Sequence, residues 1–259
     1  MATKRLLILG GTGEAVALSR AATLRFSDAL HVTTSLAGRT AHPAPVAGHL
    51  HIGGFGGPAG LAAYLSEHRI DRLIDATHPF ATRISASAHL ACDQAKIPRL
   101  MLLRPPWRRH PLDRWIEVDS IDAAAGVVGG LGRCALLTIG KSEIAAFTRA
   151  AGVRFVVRVV DPPRDPLPLP SCEAIVGRGP FTIDEEAKLI ARCAIDLIVC
   201  KASGGHATEA KLIAARDRGI PVIMIRRPRV EPGEAVETVE AALDWLAAAR
   251  FSPEATGLS

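Results

Sequence analysis

Aromatic residues make up only 4% of this 259-residue chain, and tyrosine occurs once, at Tyr64. That tyrosine is not part of a Tyr-x-x-x-Lys arrangement, which weighs against a short-chain dehydrogenase. Nucleic-acid readers stack bases on aromatic platforms or present a basic stripe, and neither pattern is in the sequence, so no nucleic-acid partner is expected. Cysteine is sparse too. Cys92, Cys134, Cys172, Cys193 and Cys200 are odd in number, scattered and never in C-x-x-C, which excludes a disulfide framework and a structural zinc site. No apolar run approaches a membrane span, and Leu6–Leu9 is too short for the core of a signal peptide. These absences together predict a soluble chain in a reducing, cytoplasmic setting. The motifs H-E-x-x-H, G-x-S-x-G and G-x-x-x-x-G-K-[ST] are missing as well, and no His/Cys/Asp cluster reads as a metal site. No metal is expected.

What is present is aliphatic. Hydrophobic residues make up 48% of the chain, carried by Ala, Val, Leu and Ile, as helices packed on parallel strands require. A formal net charge of +5 favours anionic partners. Strand-length apolar runs alternate with helical stretches, at Leu6–Leu9, Leu30–Thr34, Arg72–Asp75, Leu100–Leu103 and Ala135–Ile139. They continue at Phe155–Val159, Ala174–Val176, Leu197–Cys200 and Val222–Ile225. The fold class is therefore α/β, with mostly parallel sheets covered by helices.

The chain also resembles itself. "DRLIDATHPFATRISASAHLACDQAKIPRLMLLRP" (71–105) matches "DLIVCKASGGHATEAKLIAARDRGIPVIMIRRP" (196–228), and "VDSIDAA" (118–124) matches "VETVEAA" (236–242). The opening "LLILGGTGEA" (6–15) is echoed by "ALLTIGKSEI" (135–144), a strand, a glycine-containing turn and a helix in each case. Two domains are expected, 1–132 and 133–259. The strand after each Arg-Pro loop could join its own sheet or cross to the other.

In open α/β sheets, ligands bind beyond the carboxyl ends of the strands. After the first strand come Gly10, Gly11, Thr12, Gly13 and Glu14. Glycines let backbone N–H groups approach a phosphate at a helix N-terminus, and Thr12 offers a hydroxyl. The spelling departs from G-x-G-x-x-G in either register, with Thr12 and Ala15, or Val16, where glycines are sought. Near the second strand stand Thr34, Ser35 and Arg39 in place of the acidic residue that NAD-preferring domains use for the ribose. Hydroxyls and a guanidinium suit a 2′-phosphate, so NADPH is expected over NADH. After the third buried strand, Thr77 and His78 project from a turn beside the presumed nicotinamide crevice, and Arg83 lies one helical turn further on. His78 is the candidate acid.

The second half differs at matching loops. Where the first has Gly-Gly-Thr-Gly, the second has Gly140-Lys141-Ser142, with a lysine in place of a glycine; Lys201, Ser203 and Gly204 follow the strand ending at Cys200, with Lys211 on the next helix. Arg178 precedes a helix that Thr182 and Glu185 can cap. With Arg104 on a basic, proline-rich loop, these residues suggest a substrate bearing several carboxylates.

At these motifs the chain resembles the precorrin-6A reductases of cobalamin biosynthesis along nearly its whole length. The resemblance rests on "GGTGEA" (10–15), "DATHPFA" (75–81), "TIGKSEIAAF" (138–147), "GRGPF" (177–181), "KASGGHATEAKLIAA" (201–215) and "IPVIMIRRP" (220–228). Where relatives carry Lys-Asp-Ser-Gly, this chain reads Lys201-Ala202-Ser203-Gly204. The resemblance implies two Rossmann-like domains with NADPH on the first and an anionic tetrapyrrole in the cleft between them. It also implies reduction of one macrocycle double bond, with hydride to C19 and a proton to C18. Two other readings of the residues remain open at this point: an NADP(H)-dependent reductase or epimerase of another polyanion, and an NADP(H)-binding sensor without catalysis. The sequence sets neither the oligomeric state, a monomer being compatible, nor whether the substrate carries cobalt.

Overall fold

The computed structural model describes residues 3–38, 40 and 43–248. In chain order, the first run of elements is β1 (Lys4–Leu9), α1 (Gly13–Phe26), β2 (Leu30–Leu36), β3 (His49–Ile52), α2 (Pro58–Glu67), β4 (Arg72–Asp75), α3 (Thr82–Ala95) and β5 (Arg99–Leu102). Then come β6 (Trp115–Val118), α4 (Ile121–Val128), β7 (Cys134–Thr138), β8 (Arg154–Val159), β9 (Cys172–Val176), α5 (Ile183–Arg192), β10 (Leu197–Lys201), α6 (Ala210–Asp217) and β11 (Val222–Ile225). β12 (Glu234–Val236) and α7 (Val239–Ala248) complete the described chain.

The strands form two six-stranded sheets, ordered β12-β5-β4-β1-β2-β3 and β6-β11-β10-β7-β8-β9. Every strand pairing in both is parallel. Each sheet has the strand order of doubly wound dinucleotide-binding folds, with the order reversing at β1 in one and β7 in the other. Strands covered on both faces must be apolar throughout, and Leu6, Leu7 and Ile8 of β1 are completely buried. Burying each such side chain contributes roughly 1.5–3 kcal/mol.

The expected boundary between 132 and 133 is corrected by the strand pairing. β6 joins β11, and β12 joins β5. The chain therefore divides into a first unit, residues up to Arg104 together with those from Arg229 on, and a second unit, Pro105–Pro228. Packing follows pairing. Ala242, Leu243 and Leu246 of α7 share a core with Ala15, Leu18 and Ala22 of α1. Arg25 of α1 pairs with Glu240 and Asp244 of α7, at 2.9 Å each.

Two further departures are local. The expected helix after β7 is a 3-10 helix, Lys141–Arg149. β3 carries His49 and His51 and lies at an exposed sheet edge, so its sequence has no buried-strand signature. Among the described residues, no helix is long and apolar enough to cross a membrane.

Candidate active site

The turn from β1 into α1 lies at the reversal point of the first sheet. Thr12 caps α1, its Oγ1 accepting the Ala15 N–H at 3.1 Å and donating to the Ala76 carbonyl at 2.7 Å. Its single hydroxyl proton is therefore committed to tying this turn to the end of β4, which corrects its expected role as a phosphate-binding hydroxyl. The backbone remains open. The N–H groups of Gly11, Thr12, Gly13 and Glu14 donate to no described residue. Gly11 holds φ +109°, and a Cβ added there would meet nothing within 4 Å. These N–H groups form a cradle of donors at the positive end of a 14-residue helix.

Gly10 closes the turn from below, its N–H donating to the Ser35 carbonyl at 2.9 Å. Ala15 is fully buried and Val16 only partly, so the helix makes its close approach to the sheet at Ala15. The glycine fingerprint is thus read from Gly10, with Thr12 and Ala15 as its variant positions. Glu14 turns to Arg104, at 2.7 Å in a largely buried ion pair. Arg104 is the last residue of the first unit before the crossing, so its expected place among substrate ligands gives way to a contact with the turn after β1.

The second-strand expectation changes as well. β2 runs on to Leu36, with Thr34 opposite Ile8 and Ser35 opposite Leu9, both buried. Thr34 packs beneath Gly10, its Cγ2 lying 3.0 Å from where a Cβ on Gly10 would sit. Neither hydroxyl reaches the strand end, so both support the turn instead of a 2′-phosphate. Arg39 lies outside the described residues.

β4 ends in Asp75, which is buried. Its Oδ1 accepts the Thr77 N–H at 3.1 Å and the Thr77 hydroxyl at 2.6 Å, and Thr77 Oγ1 lies 3.4 Å from Ser85 Oγ. These groups line a solvent-open recess with His78, Pro79 and Thr82, over an apolar floor of Met101 and Leu103. Arg229, Val230 and Glu231, from the segment returning to β12, complete the wall. His78 Nδ1 accepts the Phe80 N–H at 3.3 Å, which leaves Nε2 to carry the proton of the neutral ring. Arg83 is exposed and outside the recess lining. Ser85 could have been found from sequence, one helical turn beyond Thr82; the return segment could not, because its place depends on the strand crossing.

In the second unit the corresponding turn is filled from within. Glu143 Oε2 accepts the Gly140 N–H at 2.9 Å, and Oε1 pairs with Lys201 Nζ at 2.6 Å. Lys141, Ser142 and Arg178 are exposed at strand-end turns. The other expected substrate ligands have structural work. Lys211 is buried, donating to the Thr208 carbonyl and lying 5.0 Å from the centre of the Trp107 ring. Ser203 is buried, and its carbonyl accepts from Arg227 at 2.9 Å. Gly204 has φ +71°, and a Cβ there would lie 2.2 Å from the Pro105 carbonyl oxygen. Pairing within the fold takes Lys201 and Lys211 out of the exposed set.

The site holds no thiol chemistry. Burial pushes the Cys92 thiol up to about 12 and Cys200 up to about 11, so both stay protonated and inert at neutral pH. Sequence reasoning missed a buried bidentate pair, Arg158 with Glu186 at 2.7 Å on each arm, with Phe181 beneath the guanidinium at 4.2 Å. It fastens β8 to α5.

Comparison with known proteins agrees with this architecture. The family described as precorrin-6x reductase CbiJ/CobK matches residues 5–247. A precorrin-6A reductase of a Sinorhizobium species is 44% identical over 255 residues, covering 96% of each chain. That of Rhodobacter capsulatus is 42% identical over 243 residues, covering 94% of this chain and 96% of the relative. A solved structure of CobK precorrin-6A reductase superposes with a TM-score of 0.91 at 40% identity, covering 97% of this chain and 99% of that one. A match of this extent, on two sheets ordered alike and with an open donor turn at the first, means that the chain belongs to the precorrin-6x reductases, oxidoreductases of cobalamin biosynthesis.

Proposed function

We propose that this chain reduces precorrin-6A with NADPH, delivering hydride to C19 and a proton to C18. The observation that carries the cofactor reading is the open turn. Gly11, Thr12, Gly13 and Glu14 offer N–H groups that meet no acceptor among the described residues, and Gly11 leaves room above them. Such a cradle fits a pyrophosphate, whose oxygens would accept those hydrogen bonds at the helix N-terminus. The phosphorylated cofactor is favoured because no Asp or Glu occurs between Asp28 and Glu67, the stretch that follows β2. Arg39, in that stretch, supplies a cation for a 2′-phosphate. When bound, NADPH supplies the hydride, and the protein's share is to hold and shield it.

The chain's own residues do the rest. The recess at the ends of β4 and β5 lies on the opposite side of β1 from β2, where a dinucleotide spanning the reversal point would place its nicotinamide half. His78 lines that recess, which makes it the candidate to pass the proton or orient the group that does. Lys141, Ser142 and Arg178 are the exposed groups left to meet substrate carboxylates.

The direct test is incubation with authentic precorrin-6A and either NADPH or NADH, following both chromophores by absorbance. Consumption of NADPH with a matching change in the macrocycle spectrum is expected; none with authentic substrate sinks the assignment. Undiminished turnover in His78→Ala removes His78 from the chemistry.

A further inference from the structure

Resting on the cofactor reading above, we propose that Thr77 is the residue that reads the nicotinamide carboxamide, with Asp75 as its positioning partner and Ser85 as a second hydroxyl. The argument begins with one proton. A threonine hydroxyl has a single O–H to donate. At 2.6 Å, that of Thr77 goes to Asp75 Oδ1, which also holds the Thr77 N–H at 3.1 Å. Across the 3.4 Å separation to Ser85, Thr77 can then only accept, so Ser85 is the donor of that pair. Toward the recess, Thr77 Oγ1 presents a lone pair and no proton.

The recess therefore selects the chemistry of its occupant. At the β4 end, Asp75 and the fixed Thr77 acceptor disfavour a carboxylate or phosphate, while Arg229 and Glu231 stand together on the wall, and Met101 and Leu103 add apolar lining. The complement is a planar, uncharged group whose edge donates a hydrogen bond, as a primary carboxamide on a pyridine ring does. Adenine also carries an exocyclic amine on a planar ring. Position decides between them, because dinucleotide-binding sheets put the adenosine ribose at the end of β2, on the other side of the reversal point from β4. The Ser85 hydroxyl, on the first turns of α3, can rotate to donate to the carboxamide oxygen.

Calorimetric titration tests this with three reduced cofactors: NADPH, its 3-acetylpyridine analogue, in which a methyl replaces the amide nitrogen, and its hypoxanthine analogue, in which the adenine amine is lost. The native protein should bind the acetylpyridine analogue about tenfold more weakly than NADPH, the loss of one buried donor–acceptor pair. Thr77→Val, which keeps the shape and removes the acceptor, should bring the two dissociation constants together by weakening NADPH. Thr77→Ser should restore the gap, which a merely structural role for Thr77 would not predict. The hypoxanthine ratio should be the same in all three proteins. Equal affinities in the native protein overturn the proposal without any variant, and so does a tenfold gap that survives in Thr77→Val. A hypoxanthine ratio that shifts in Thr77→Val overturns it in favour of adenine in the recess. No binding of NADPH at all removes the cofactor reading along with it.

Discussion

Glu14 and Glu143 occupy equivalent places in the two repeats, each at the start of the element that follows a central strand. Their side chains go opposite ways. Glu143 folds back onto its own turn, takes the Gly140 N–H at 2.9 Å, and is neutralised by Lys201 at 2.6 Å. Glu14 leaves its turn, held by Arg104 at 2.7 Å, and the donors of Gly11 to Glu14 stay open. One turn has received its anion from the chain itself. The other has no such internal anion among the described residues. A single strand–turn–helix plan thus yields a turn closed by its own glutamate or one whose glutamate is drawn away, depending on which cation holds it.

Setting a side chain over the open turn should have the largest effect. Gly11→Lys forces a side chain into φ +109° and sets it over the cradle. Backbone strain should cost about 1–3 kcal/mol of stability, read by urea denaturation. NADPH affinity should fall about a hundredfold, the equivalent of losing charge-assisted donors from a phosphate. Gly11→Ala separates the two costs: its Cβ meets nothing within 4 Å, so stability should fall similarly while most affinity survives. Equal affinity losses in both variants would mean that the turn's conformation, and not the space above it, matters.

The next effect concerns Arg104. Arg104→Met leaves the Glu14 carboxylate beside the cradle without its 2.7 Å partner. NADPH should bind about tenfold more weakly at low salt, with the gap closing as ions screen the repulsion. The double variant Glu14→Gln, Arg104→Met should recover native affinity, since the offending charge is gone. Losses that simply add would show that Arg104 acts on the cofactor or the fold by another route.

Much of this was legible in the sequence, and the limits have physical causes. Parallel α/β architecture followed from the buried strands, and the two-fold plan from 71–105 against 196–228. Where the last strands pair was not legible. β6 and β12 are short, each leads into a near-identical segment, "VDSIDAA" or "VETVEAA", and nothing in such a strand records which sheet edge it will meet. The glycine-rich turn after β1 was legible from its glycines, but the use of each polar group was not. Thr12 is tied to Ala76 far along the chain, Lys211 lies over Trp107, and Thr34 and Ser203 are buried. Residue type announces what a side chain can do, whereas its availability is decided by tertiary neighbours such as Ala76 and Trp107. Asp75 and Ser85 were overlooked for the converse reason: an acid closing a strand and a serine inside a helix look ordinary until Thr77 lies between them.

The smallest effect comes from emptying the filled turn. Glu143→Ala removes the carboxylate from Gly140 and from Lys201. The pair is partly exposed, so stability should fall by only about 1 kcal/mol, a shift in the urea midpoint with unchanged slope. NADPH affinity should not change, because the first unit's cradle is untouched. The informative readout is a gain. With the internal anion gone, the Gly140 N–H and the Lys201 ammonium both lose the carboxylate they share. Citrate in the millimolar range should then raise the thermal midpoint of Glu143→Ala more than that of the native protein. If citrate stabilises both proteins alike, Glu143 does not stand in for an anion, and the two turns differ by more than the destination of one glutamate.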